Sequence, residues 1–220
     1  MLNVQGILNA KVLTDPWPHQ EIVQVADPTE FEQIKSIYPI LVEAVKQNPQ
    51  VETGFNLNQL SSLGISYDVV ELLVSLADQF LEIVEDILIK YPNARRSDTG
   101  YFCTPRIIIT APQGVNPIHD EAYDKSISMI LYVAPDKSLG TSFFRDNDPD
   151  TFVKYAKWAP NCASLFCGEE LKTWHGSQSM GNEYRMIVAF FIEHVNPNAV
   201  DYYMDLPSGR KIRFQRLSKS

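Results

Sequence analysis

Beyond residue 101 the chain is a succession of short runs rich in β-branched and aromatic residues: PRIIIT, SISMILYVA, GTSFFR, NCASLFC, KTWHGS and EYRMIVAFFIEH. Pro, Gly, Asn and Asp separate them. Such residues suit a pleated, half-buried surface, and the punctuation between them turns the chain. No stretch of helical periodicity lies between the runs, which disfavours the strand–helix–strand plan of a doubly wound sheet. An antiparallel sandwich or barrel remains. The expected fold is mainly β with N-terminal helices: a double-stranded β-helix, or jelly roll, buttressed by α-helices.

Residues 1–100 read as that helical support and 101–220 as the jelly-roll core, together one domain over 1–220. In DPTEFEQIKSIYP, Asp27 is an N-cap and Pro28 takes the first helical position. Phe31, Ile34 and Tyr38 then share a face until Pro39 interrupts the helix. In SYDVVELLVSLADQFLEIVEDILIKYPN, apolar residues at helical spacing make a broad stripe from Val69 to Ile87 that must lie against a sheet or another helix.

The net charge is -8, which argues against a general nucleic-acid binder. The one basic stretch is GRKIRFQRLSKS, where Arg210, Lys211, Arg213, Arg216 and Lys219 have no acidic neighbour in sequence and read as a solvated terminal strand or tail. Three cysteines, Cys103, Cys162 and Cys167, lack a C-x-x-C spacing, so a reducing, cytoplasmic setting is expected over a disulfide scaffold. The most apolar long window, Val69 to Ile89, carries five carboxylates that a membrane span would not tolerate. No membrane association is expected, and oligomeric state is unreadable.

The chemistry concentrates around NPIHDEAYDKSISMILYVAP. If this segment is extended, alternation turns His119 and Glu121 to one side and Asp120 to the other. Asp120 then reads as a surface carboxylate whose removal costs on the order of half a kcal/mol. His175, in KTWHGSQ at a strand edge, can join His119 and Glu121 as two imidazoles and one carboxylate, the facial set that holds non-haem Fe(II). Alone, H-x-E is a weak signal. Arg185 strengthens it, because an arginine sharing a strand face with Ile187, Ala189 and Phe191 is costly unless it meets an anion. A carboxylate suits its planar fork. A structural ion pair with Glu169 or Glu170 is the plain alternative.

Several features together resemble the Fe(II)/2-oxoglutarate-dependent oxygenase superfamily on its prolyl-4-hydroxylase-like side. They are His119 and Glu121, Lys125, Leu131-Tyr132, Gly140-Thr141, Phe166, Trp174-His175-Gly176 and Arg185 ten residues on, with DPWPHQEI near the N-terminus. The resemblance covers most of the chain and is tightest over 105–192. It implies that His119, Glu121 and His175 ligate Fe(II) and that Arg185 pairs with the distal carboxylate of 2-oxoglutarate. It also implies a role for Tyr132, either donating its hydroxyl to that carboxylate or serving as a core tyrosine. The implied reaction consumes O2 and 2-oxoglutarate, releases succinate and CO2, and hydroxylates an amino-acid, peptidyl or small-molecule substrate, with ascorbate as a supporting reductant. The sequence departs from the pattern at Glu121, where the family has aspartate. That leaves open an altered or vacant metal site, or Asp120 in the role.

Two rivals stand beside this reading: a cupin-type metalloenzyme that uses no oxo acid, and a non-catalytic jelly-roll binding protein. Among the remaining candidates, His19 reads as a packed histidine and His194 as exposed. The segment 144–161, with Asp146, Asp148 and Asp150, reads as a solvated loop or as a lid over the site.

Overall fold

The computed structural model describes residues 1–169 and 173–217. Two strands precede residue 100, β1 (His19–Ile22) and β2 (Glu52–Phe55). The main run follows as β3 (Tyr101–Thr110), β4 (Val115–His119), β5 (Lys125–Ala134), β6 (Thr141–Phe144) and β7 (Phe152–Tyr155). It continues as β8 (Ala163–Cys167), β9 (His175–Gln178) and β10 (Arg185–His194). A six-stranded sheet runs β1-β8-β5-β10-β3-β2, and a four-stranded sheet runs β4-β9-β6-β7. Their pairings are antiparallel. From β3 to β10 the chain winds back and forth between the two sheets, which makes a double-stranded β-helix, as expected.

Alternation along β10 decides what each face of the larger sheet does. Met186, Val188, Phe190 and Ile192 enter the core shared with the helices. Ile187, Ala189 and Phe191 enter a second core between the sheets, with Tyr132, Phe143 and Phe166. Arg185 begins the same strand on this inner face. Its side chain is therefore committed to the barrel interior.

The helices are α1 (Val4–Asn9), α2 (Pro28–Ser36), α3 (Tyr38–Gln47), α4 (Leu57–Ser62), α5 (Tyr67–Glu82) and α6 (Val84–Ile89). Asp27 caps α2 as expected, its carboxylate accepting from Thr29 N at 2.9 Å. The helix is interrupted just ahead of Pro39, as expected: α2 stops at Ser36, and Pro39 sits in the first turn of α3, where its missing N–H costs nothing. The long apolar stripe also divides, at Ile83, into α5 and α6. Seven side chains of α5 are buried, and Phe80 meets Phe190 of β10 at 6.3 Å between ring centroids. Each large side chain buried this way contributes about 1.5–3 kcal/mol, which seats the helix on the larger sheet.

Residues 1–100 are thus not helical support alone, because β1 and β2 extend both edges of the larger sheet. After β10 comes a hairpin of β11 (Ala199–Asp205) and β12 (Lys211–Leu217). The basic stretch accordingly begins as a strand. Arg210 pairs with Asp78 of α5 and Lys211 with Asp205, so both have acidic partners in space. The side chains of Arg213 and Arg216, and all of Lys219, lie outside the described residues. The three cysteines are free. No helix among the described residues is long and apolar enough to cross a membrane.

Candidate active site

The two histidines expected to act together do meet. His119 ends β4 and His175 begins β9, and the two are directly paired across the strands. Their rings lie 4.4 Å apart between centroids. Each Nδ1 is tied to a backbone carbonyl two residues upstream, His119 to Pro117 O at 2.8 Å and His175 to Thr173 O at 2.7 Å. A carbonyl only accepts, so Nδ1 carries the proton and the lone pair of the neutral ring sits on Nε2. This is the orientation a metal-ligating histidine needs.

The strand geometry also accounts for the glycine after His175. A Cβ on Gly176 would stand 2.9 Å from Asn116 O, so β4 and β9 reach this spacing only with glycine there.

The neighbouring carboxylates separate as alternation predicts, although β4 ends at His119 and both lie in the turn beyond it. Glu121 is buried beside His175, its Oε1 3.6 Å from His175 Nε2. The same oxygen accepts from Ser128 Oγ at 2.5 Å, and Lys125 Nζ lies 2.9 Å from Oε2. Burial opposes the charge of Glu121, but His175, Lys125 and the Ser128 hydroxyl outweigh it and hold the carboxyl below its ordinary value. Burial lowers His175 to about 4 against the pull of Glu121, so its ring is neutral at pH 7. At that pH Lys125 and Ser128 are what keep Glu121 ionised.

Asp120 turns the other way. Its carboxylate pairs with Arg95 at 3.0 Å and accepts from Thr173 Oγ1. Arg95 also donates to Glu121 O at 2.8 Å, Ala122 O at 2.9 Å and Glu169 O at 3.1 Å, which fastens the turn carrying Glu121. Asp120 is therefore a half-buried structural group and not the surface carboxylate the sequence suggested.

As placed, the three groups do not close on one point: no three His, Cys, Asp or Glu side chains among the described residues form a ready metal cluster. Lys125 and Ser128 hold the longer Glu121 side chain instead. The donor chemistry, two Nε2 lone pairs and one carboxylate on a shared cavity, still fits a divalent transition-metal ion such as Fe(II).

Arg185 lines that same cavity, together with Glu52, Thr141 and Lys125. It is 1% exposed, and its Nε and Nη2 are buried without a hydrogen-bond partner. Burial pulls it down to about 10, offset by Tyr132 and Glu52, so it stays charged at neutral pH. No ion pair to Glu169 forms, and Glu170 lies outside the described residues. The Trp158 ring, 5.1 Å away, is the aromatic surface under the guanidinium. A buried cation on a cavity wall, with two nitrogens that have no hydrogen-bond partner, is suited to receive an anion.

Tyr132 stands one layer back. Its hydroxyl donates to Ser164 Oγ at 3.0 Å and accepts from Thr141 N at 3.1 Å, so it is satisfied within the core, and Thr141 forms the cavity wall in its place. Of the two readings for Tyr132, the core tyrosine is the one the geometry supports.

His19 is fully buried, with Nδ1 on Trp17 O at 2.8 Å, as expected of a packed histidine. His194 is not exposed, because its Nε2 bonds Ser126 Oγ at 2.7 Å. The segment 144–161 contains β7, and its aspartates close local turns such as Asp148 to Asp150 N at 2.9 Å. Its Phe144, Asn147, Pro149 and Tyr155 line a neighbouring cavity that shares Asn116, Gly176 and Ser177 with the first.

No protein-family model matches the chain, and no curated protein matches it in sequence. Solved structures do. A Pseudomonas putida prolyl-4-hydroxylase is 8% identical over 81% of this chain and 93% of its own, with a TM-score of 0.52. The viral collagen prolyl hydroxylase of Paramecium bursaria Chlorella virus-1, in its 2-oxoglutarate complex, is 14% identical over 84% and 99%, with a TM-score of 0.52. A rice dioxygenase for auxin oxidation is 14% identical over 83% and 75%, with a TM-score of 0.56.

The chain has the 2-oxoglutarate/Fe(II) oxygenase fold. At these identities the likeness is one of fold. In this oxygenase fold the sequence reading missed three residues at the site. Glu52 reaches the cavity from an edge strand that was not expected. Trp158 lies under Arg185 from a stretch read as a loop. Lys125, seen only as part of a motif, is the ion-pair partner of Glu121. Only Lys125 had a local signal, its four-residue spacing from Glu121.

Proposed function

We propose that the chain is an Fe(II)- and 2-oxoglutarate-dependent dioxygenase hydroxylating an amino-acid, peptidyl or small-molecule substrate. The observation that carries this is Arg185, buried and charged, with two guanidinium nitrogens lacking any hydrogen-bond partner, on the wall of the cavity that His119, Glu121 and His175 also line. His119, Glu121 and His175 would hold the iron, and Arg185 the distal carboxylate of 2-oxoglutarate. Bound there, iron supplies O2 activation coupled to oxidation of the oxo acid to succinate and CO2. The protein contributes orientation and dryness: carbonyl-locked imidazoles, and a wall of Ile108, Ile130, Ile187 and Phe191 that excludes water. The free cysteines suit a reducing, cytoplasmic setting, and the acidic balance disfavours nucleic acid as substrate.

The experiment is an anaerobic titration of Fe(II) and then 2-oxoglutarate, followed by a succinate assay in air with ascorbate. Metal binding and slow succinate formation above a no-enzyme control are expected. Iron bound without any succinate would remove the oxo acid from the reading. In Arg185→Leu, iron affinity should stay within a few-fold while 2-oxoglutarate affinity falls at least about a hundred-fold, since a charge-assisted bidentate pair in a dry pocket is lost. An Arg185→Leu protein that unfolds, with cosubstrate affinity unchanged in any folded fraction, makes Arg185 a structural residue.

The Glu121–Lys125 pair favours a second reading, an oxo-acid-binding jelly roll in which an internal cation has replaced the metal. In that case the parent protein binds 2-oxoglutarate but no iron, and Lys125→Met gains metal affinity.

A further inference from the structure

Besides Lys125, which pairs with Glu121, the cavity holds one charged group that metal and cosubstrate leave without a task. Glu52 lines it from β2, the outermost strand of the larger sheet, while Asn116 lines it from β4, the outermost strand of the smaller one. Edge strands of both sheets thus bring a residue to the same cavity. Backbone contacts fix Glu52 there. It pairs with Thr110 of β3, and the carbonyl of Val51 beside it accepts from Ala111 N at 2.9 Å. The side chain's hydrogen-bond partner is weak, Thr110 Oγ1 at 3.5 Å. Arg185 and His119 act on it electrostatically, yet neither makes an ion pair with it.

A half-buried carboxylate so placed is a liability to the proposed reaction. It repels an anionic cosubstrate approaching Arg185, and it has lost water in return for one long hydrogen bond to Thr110. A protonated amine removes both costs. It neutralises Glu52 and does not compete for Arg185, and the amide oxygen of Asn116 can accept a second N–H. A peptide nitrogen carries no charge and does neither.

We propose that Glu52 is the specificity-determining anchor of this cavity, and that the primary substrate is a small molecule presenting a protonated amine, such as a free amino acid bound by its α-ammonium group. This rests on the oxygenase reading only in assigning Arg185 to the oxo acid and Glu121 to the metal.

The test measures binding by calorimetry, first to metal-free protein and then to anaerobic protein carrying Fe(II) and 2-oxoglutarate. The probes are the free L-amino acids, their N-acetyl derivatives and short diamines. At least one free amine should bind ten-fold or more tightly than its N-acetylated form. Glu52→Gln should bring that ratio close to one, and Glu52→Asp should restore part of it. Three results overturn the proposal. No free amine binds; the preference for the free amine survives in Glu52→Gln; or Glu52→Gln changes only the affinity for 2-oxoglutarate, which makes Glu52 a counter-charge for Arg185. The oxygenase reading fails separately, by absence of Fe(II) or 2-oxoglutarate binding, and the amine ratio in metal-free protein is read regardless of that result.

Discussion

The sharpest division of labour among residues is between Asp120 and Glu121, adjacent in the chain and opposed in role. Glu121→Ala should abolish tight metal binding, since two neutral imidazoles would remain without their anionic partner. Asp120→Ala should keep metal affinity within a few-fold but cost about 3 kcal/mol of stability, because it strips a partly buried Arg95 of its carboxylate. Metal titration and urea melts of both variants decide this, and an Asp120→Ala protein that loses metal would reverse the assignment. His175 sets a pH dependence. Its folded value, about 4, lies below the ordinary 6.5, so between those values the unfolded chain binds the extra proton. Metal-free protein should therefore be most stable above about pH 6.5 and lose up to about 3 kcal/mol as pH falls toward 4. Glu121, held low, loses its stabilisation in the same acid direction. A His175→Gln variant should show a flatter curve between pH 6.5 and 4; an unchanged slope would place the titration elsewhere.

At the scale of elements, close approach between strands explains why glycines accompany the site motifs. A Cβ on Gly140 would lie 2.1 Å from the carbonyl oxygen of Ala156. Gly140→Ala must therefore push apart the ends of β6 and β7, and it should destabilise by about 2–3 kcal/mol. Because Thr141 follows directly and receives Ala156 N at 2.8 Å, the same change should also disturb the cavity wall beside Arg185. A urea midpoint within error of the parent would show that this contact relaxes freely. Helix ends were partly readable for a related reason. Asp27 and Ser66 cap through their own neighbours, at sequence offsets of two and three residues. The break at Ile37 was signalled by Pro39, but the one at Ile83 was not readable, since that residue is apolar, buried and compatible with a continuing helix.

For the whole molecule, binding of an ion and an oxo acid to the folded state alone should appear as stability. Mn(II) with the oxo-acid analogue N-oxalylglycine, at a hundred times its Kd, should add about 2.7 kcal/mol. For a chain of this size that raises Tm by about 5–10 °C. Thermal melts of the parent and of Arg185→Leu provide the comparison. The shift should vanish in the variant when the analogue is varied at fixed metal, and an equal shift in both would mean that the analogue binds away from Arg185. The same scale shows why residues before 100 matter to the site, since β2 closes one edge of the larger sheet and carries Glu52 to the cavity.

Read alone, the sequence determined the strand-rich second half, the two faces of β10, the anion-seeking inner arginine and the pairing of His119 with His175. Each is written in local alternation or in residue chemistry that burial makes costly. β1 was expected only through the family resemblance, and β2 and β7, with no run of β-branched or aromatic residues at clear alternation, were not seen. Tertiary structure alone decided that Glu52, Asn116, Lys125 and Arg185 share one cavity and that Trp158 lies beneath Arg185. Tyr132 is spent within the core for the same kind of reason, its hydroxyl meeting Thr141 and Ser164 from other strands. Which strands become neighbours, and in what register, depends on how two sheets close around a common core. Alternation within a strand names the inward side chains but not the partners they find there.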